Sequence, residues 1–152
     1  MPSVFDKLNF KGQQEILVVN APPSFERELS RLTGVVIHRV PGALKEVPFS
    51  LAFVTRKREV DALAKAVASK TKGDVIVWFA YPKGTSKKYR CDFNRDSGWD
   101  ALGAAGFEGV RMVAIDEDWS ALRFRRTEFI KSIRRDPKRA MSPTGKKRAA
   151  RR

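Results

Sequence analysis

One cysteine, Cys91, and one histidine, His38, are all that 152 residues contain of either type. A single thiol excludes an internal disulfide, and no cysteine and histidine cluster exists to hold a structural zinc. That scarcity fits a reducing cytoplasm, which is the expected location. Long hydrophobic runs are missing as well: no stretch approaches the roughly 20 apolar residues of a spanning helix. The opening "MPSVFDKLNF" has neither the cationic start nor the unbroken apolar stretch of a signal peptide. A soluble, unexported protein with no membrane contact is expected. Two phosphate-binding signatures are also absent, since neither G-x-G-x-x-G nor G-x-x-x-x-G-K-[ST] occurs.

What the chain has in excess is positive charge. Its net charge is +14, and the excess is uneven. Residues 131–152 carry ten Lys and Arg against one acid, Asp136. Such a field draws polyanions and says nothing about fold. The same segment has few apolar residues and two prolines, so it is expected to be a largely disordered basic tail. Residues 1–130 are long enough to bury one core, and the 42% hydrophobic content agrees with a packed domain.

Within that domain, "EILVVNA" is a short β-branched run stopped by Pro22 and Pro23 and reads as a buried strand. Phe25, Leu29 and Leu32 then share one helical face, closing at Gly34. "VVIHRV" reads as a second strand and "FSLAFVT" as a third, with Thr55 placed to cap the helix that follows. Val60, Leu63, Ala64 and Val67 form its apolar stripe, and Gly73 is a plausible left-handed stop. "DVIVWFAYP" is apolar on both faces, as a strand covered from both sides must be. Asp96 or Ser97 is expected to cap a short helix through Trp99 and Leu102 that ends near Gly106. "VRMVAID" and "SALRFRR" read as a closing hairpin around "EDW". This order predicts a single Rossmann-like α/β domain: a mainly parallel sheet, helices on both faces, and a C-terminal antiparallel hairpin.

Ligands of open α/β sheets bind beyond the carboxyl ends of the parallel strands. The loop "YPKGTSKKYR" is expected there, after the fourth strand. It offers Gly84 for close backbone approach, the hydroxyls of Thr85 and Ser86, and Lys83, Lys87, Lys88 and Arg90 as counter-charges. Three readings stay open: a phosphate or nucleotide pocket, a nucleic-acid-facing patch, or a solvated loop. Tyr89 and Phe93 lie among cations that include Arg95, an interleaving that single-stranded nucleic acid binding uses. The alternative is that Phe93 packs inward and Tyr89 lies flat on the surface. Asn20, after the first strand, is a candidate to orient a small ligand, against the plainer reading of a turn stiffened by prolines.

Other residues carry less. Asp116, Glu117 and Asp118 are adjacent acids that either coordinate a hard cation or are simply solvated, and the solvated turn is the expectation. His38 lies in a strand and is expected to be structural. Cys91, beside Arg90, sits in basic company that lowers thiol pKa values, but no partner base is evident. Trp78, Trp99 and Trp119 are read as packing residues. No metal, cofactor or catalytic constellation is expected.

"KLNFKGQQEILVVNAPPSFERELSRL", "WFAYPKGTSKKYRCDFNRDSGW" and "VRMVAIDEDWSALRFRR" resemble an uncharacterised bacterial family of small α/β proteins, a domain of unknown function. The resemblance covers nearly the whole chain before the tail and departs from related sequences at Tyr81 and Ala121. It implies one α/β domain with a terminal hairpin and carries no established activity.

The function expected from these residues is a basic binding module. The loop, together with Lys146, Lys147, Arg148, Arg151 and Arg152 of the tail, would contact RNA, DNA or a ribonucleoprotein through phosphates, without sequence specificity. Two alternatives accompany it: a nucleotide or phosphorylated small molecule at the loops after the first and fourth strands, near Asn20, Lys83, Gly84 and Thr85, and an accessory role with a protein partner.

Overall fold

Three apolar runs become parallel strands with both faces covered, and a fourth joins them at an exposed edge. The computed structural model describes residues 4–93 and 98–130. Strands β1 (Glu15–Val19), β2 (Val36–His38), β3 (Phe49–Phe53) and β4 (Ile76–Pro82) run parallel, while β5 (Phe107–Ala114) and β6 (Trp119–Arg126) form the hairpin. The six-stranded order is β2-β1-β3-β4-β6-β5, with β6 antiparallel to both neighbours. This is a Rossmann-like α/β sheet, as the alternation of strand and helix patterns requires.

Strand periodicity sorts the core into two layers. Ile76, Trp78 and Ala80 of β4 face Phe5, Leu8, Phe25 and Leu29, which belong to helices α1 (Val4–Lys7) and α2 (Pro23–Leu29) and the turn after α1. Val77, Phe79 and Tyr81 point the other way. There they meet helices α3 (Lys57–Lys70) and α4 (Asp100–Ala104) through Val60, Ala64, Val67 and Leu102. All seven residues of β4 are buried. No helix among the described residues is long and apolar enough to cross a membrane.

Several local expectations need correction. Thr55 does not accept from the first turn of α3. Its amide and hydroxyl both donate to Glu59 Oε1, at 2.9 and 3.1 Å, and the Arg56 amide donates to the same oxygen at 3.0 Å. One carboxylate thus gathers the entry of the helix. Gly73 takes φ +69°, but α3 has already ended at Lys70, with Thr71 extended. The carbonyls left open there are met by Arg126. Its guanidinium donates to the Thr71 carbonyl at 2.8 Å and the Ala68 carbonyl at 3.3 Å, and lies 4.8 Å over the Phe107 ring. The short helix α1 was not foreseen. The expected caps Asp96 and Ser97, and the basic tail, lie outside the described residues.

Trp78 ties α1 to the sheet. It is fully buried, and its indole N–H donates to the Leu8 carbonyl at 2.8 Å. Trp78→Phe removes ring volume and leaves that carbonyl unpaired. We expect a loss of about 2–4 kcal/mol in urea unfolding, from the cavity and the orphaned acceptor together. A loss below about 0.5 kcal/mol would mean that α1 is not held through this bond.

Candidate functional site

Because β6 runs antiparallel beside β4, its first residues arrive where β4 ends: Trp119 pairs with Pro82 and Ser120 with Tyr81. A cleft of about 1020 Å³ opens at this point, on the α3 and α4 side of the sheet. Tyr81 and Phe93, both buried, and the more exposed Met112 supply its apolar surface. The Tyr81 hydroxyl donates to Met112 Sδ at 3.2 Å. Lys83, Lys87 and Arg90 bring positive charge, and no Asp or Glu among the described residues lines the cleft. Gly84, Thr85 and Tyr89 complete the wall on the loop side.

That loop is folded back on the hairpin turn instead of projecting from the domain. The Lys83 amide donates to the Asp118 carbonyl at 2.8 Å, and the Ser86 hydroxyl donates to Asp118 Oδ1 at 2.8 Å. Ser86 Oγ in turn accepts from the Tyr89 amide at 3.2 Å. The Tyr89 ring packs on Trp119 with centroids 4.8 Å apart. The turn itself is set by Asp116, whose Oδ1 accepts from the amides of Asp118 and Trp119 at 2.8 and 2.9 Å. Its other oxygen accepts from Ser24 of α2 at 3.3 Å. Two of the three adjacent acids therefore organise the turn, and no group of acids, histidines and cysteines suited to a metal occurs among the described residues. The signal for this was the short-range preference of Asp for amides two and three residues ahead.

The remaining candidates separate. Lys88 is exposed on the loop and does not line the cleft. Asn20 adopts φ +57° at the end of β1 and is not part of the cleft either. Arg95 and the tail residues lie outside the described residues. Phe93 packs inward, 4.9 Å from Trp99 and 6.2 Å from Tyr81 by ring centroids. Gly98 makes room for it: at φ +90°, an added Cβ there would lie 2.6 Å from Phe93 Cβ. His38 Nε2 is 3.2 Å from Glu15 Oε1, across the β1 and β2 pair. Sequence reasoning missed Met112 and Ser120, because only strand pairing brings them to the loop.

Cys91 also lines the cleft, and its thiol behaves opposite to its basic neighbourhood in sequence. Burial pushes its pKa up, the carboxylates of Asp92 and Glu59 push the same way, and a backbone hydrogen bond at Phe93 only partly opposes them. Asp92 is itself held at the start of α3, where its Oδ1 accepts from the Lys57 amide at 2.7 Å.

No family model matches the chain, and no curated protein matches it by sequence. Solved structures do match. The fibrillarin pre-rRNA processing protein of Methanococcus jannaschii is 14% identical, with a TM-score of 0.50 over 76% of this chain and 67% of that one. A putative type 11 methyltransferase from Sulfolobus solfataricus is also 14% identical, with a TM-score of 0.48 over 78% and 88% of the two chains. The N-methyltransferase NodS from Bradyrhizobium japonicum is 11% identical, with a TM-score of 0.46 over 74% and 73%. At these identities the first match supports the fold and nothing finer.

These matches correct the functional expectation. The expected basic nucleic-acid module and its accompanying alternatives are not carried further: the fold is shared with the fibrillarin pre-rRNA processing protein, and the other two structures are named as methyltransferases. The loop is anchored inward at Ser86, the Tyr89 ring is tilted against Trp119, and Asn20 is not part of the cleft that holds Lys83.

A raised thiol pKa makes a direct prediction. Alkylation of Cys91 by iodoacetamide should be slower near neutral pH than that of a free thiol, and its rate should keep rising above the pH at which a model thiol levels off. A profile that levels off below that pH would show an activated thiolate instead.

Proposed function

We propose that the cleft at the end of β4 binds a small organic acid that joins a flat apolar body to a carboxylate, and that the chain serves as a ligand-binding domain on a methyltransferase-like scaffold. One observation carries this reading: among the described residues, three cations and no carboxylate surround a partly aromatic floor. Tyr81 and Phe93 offer ring faces and Met112 a polarizable thioether for the apolar body. Lys83, Lys87 and Arg90 meet the carboxylate at the mouth, where Arg90 can engage both oxygens. A volume near 1020 Å³ suits a ligand of drug-like size.

The name methyltransferase implies a second group, an adenosyl sulfonium donor, and the residues present do not fit it. A sulfonium is a cation, and the cleft already carries three. The turn after β1, where Rossmann-like sheets place a glycine-rich cradle, is Asn20-Ala21-Pro22-Pro23. Its prolines provide no amide N–H, and helix α2 has only seven residues behind them. Beyond β2, where an acid would hold ribose hydroxyls, stands Arg39, paired to Glu26 at 2.7 Å. No reaction step is derived through such a donor.

Thermal unfolding and calorimetry with benzoate, phenylacetate and a hydroxybenzoate test the reading, with S-adenosylhomocysteine as a parallel arm. A ligand bound only by the folded chain at 100 times its Kd adds about 2.7 kcal/mol of apparent stability. We expect an aromatic acid to stabilise the wild type, its neutral amide to do so less, and Lys87→Ala with Arg90→Ala to abolish the difference. Stabilisation by S-adenosylhomocysteine with none by any acid would replace this reading with methyl transfer.

A further inference from the structure

On the other face of the hairpin, away from the cleft, two arginines oppose each other. Arg111 of β5 pairs in register with Arg123 of β6, and Arg125 follows on the same face of β6. Like charges directly opposite on neighbouring strands are unfavourable unless something of opposite sign lies between them. Among the described residues the carboxylate that raises the Arg123 pKa is Asp74, which is already committed, while buried Glu108 of β5 stands opposite Arg125 in register. The Asp74 oxygens accept from Arg125 Nε at 2.7 Å and from Arg125 Nη2 at 2.5 Å. Arg111 has a neutral partner, Asn9 Oδ1, at 3.4 Å.

Arg123 is the least provided for. It lies beside fully buried Trp78, with which it pairs across β4 and β6, and is itself half-buried. Its Nε is buried with no hydrogen-bond partner, and it belongs to none of the ion pairs among described residues. Burial first, then Arg125 and Arg111, lowers its pKa, while Asp74 opposes them. The guanidinium is thus partly open to solvent, with its Nε buried and unpaired and with a nearby carboxylate that is bound to another arginine.

We infer that Arg111 and Arg123 form an oxyanion site that takes a phosphate or sulfate group, with Arg125 held beside it by Asp74. Two planar forks in cross-strand register present donors to more than one oxygen of a tetrahedral anion, a geometry that lysines do not supply. A doubly charged anion there would turn the opposed pair from a cost into a clamp. The site is separate from the organic-acid cleft, because Arg111 and Arg123 are on the α1 and α2 face and Tyr81 and Phe93 are on the α3 and α4 face.

The full chain should be titrated at constant ionic strength with inorganic phosphate, inorganic sulfate and methyl phosphate, and with chloride as the reference. Arginine Nε–Hε resonances would be followed by NMR. The expected result is a saturating shift of the Arg123 signal with phosphate or sulfate that chloride does not produce. Arg123→Gln and Arg111→Gln should each weaken the affinity at least tenfold, whereas Lys65→Ala, which removes one charge from exposed α3 surface, should leave it unchanged. If Arg123→Gln fails to fold, exposed Arg111→Gln carries the test alone. Tighter binding of methyl phosphate than of the free ions would identify an esterified group as the ligand, and the reverse would identify a free ion. A non-saturating shift, or equal weakening by Lys65→Ala, would overturn the site in favour of general attraction by a basic protein.

Discussion

Everything in this molecule is arranged around the burial of β4 on both faces. A strand without a wet face must be covered by helices on each side and paired along each edge. The chain meets the first demand with α1 and α2 on one side and α3 and α4 on the other. It meets the second with β3 and, after a long excursion, with β6. The antiparallel direction of β6 is the consequential choice. It carries the turn at Asp116 and Asp118 to the carboxyl end of β4, so that the basic loop has something to fold onto. Had β6 been parallel, its first residues would lie at the opposite end, and Lys83 to Arg90 would have had no wall to close against.

Much of the sheet was legible because its signals are local and redundant. Runs such as "FSLAF" and "IVWFA" admit few alternatives once both layers of helix are present. The stripe of Val60, Ala64 and Val67 specifies its helix equally well. Helix α1 was not legible, since four residues hold no periodicity and its place depends on Trp78 reaching back seventy positions to Leu8. The candidate site was half legible. The end of the sheet at which it lies follows from the rule for open sheets, though not the strand boundary, and its charge follows from the loop itself. Its shape depends on Met112, Ser120 and Phe93, which only the fold brings together. Tyr89 shows the limit of composition: its place among cations is visible in the sequence, but its contact with Trp119 is not.

The cations illustrate the same limit. In sequence they are one charge count, but in the structure they have distinct fates. Arg126 closes the C-terminal end of α3, a negative helix terminus that favours a cation. Arg39 and Arg125 hold Glu26 and Asp74. Lys83, Lys87 and Arg90 gather at one cleft, and Arg111 and Arg123 face each other in register across the hairpin. A net charge cannot distinguish these uses, because each depends on which strand faces which.

The sheet order also explains why the cleft is not where an open α/β sheet usually binds. The order reverses between β1 and β3, and the crevice at such a reversal is the ordinary ligand site. Here a row of rings runs across that end: Phe25 on Phe53 at 5.0 Å, Phe53 on Trp119 at 5.1 Å, and Trp119 on Tyr89 at 4.8 Å between centroids. Ser24 and Asp116 join α2 to the hairpin turn above the same end. With aromatic packing on that face and prolines at the mouth of β1, the chain holds this edge together by apolar contact. The space for a ligand moves one strand outward, to the boundary of β4 and β6. There the parallel and antiparallel parts of the sheet meet and the backbone directions diverge. A glycine-rich turn would keep the reversal point open, so the aromatic row and the displaced cleft are two results of the same substitution of packing for backbone access.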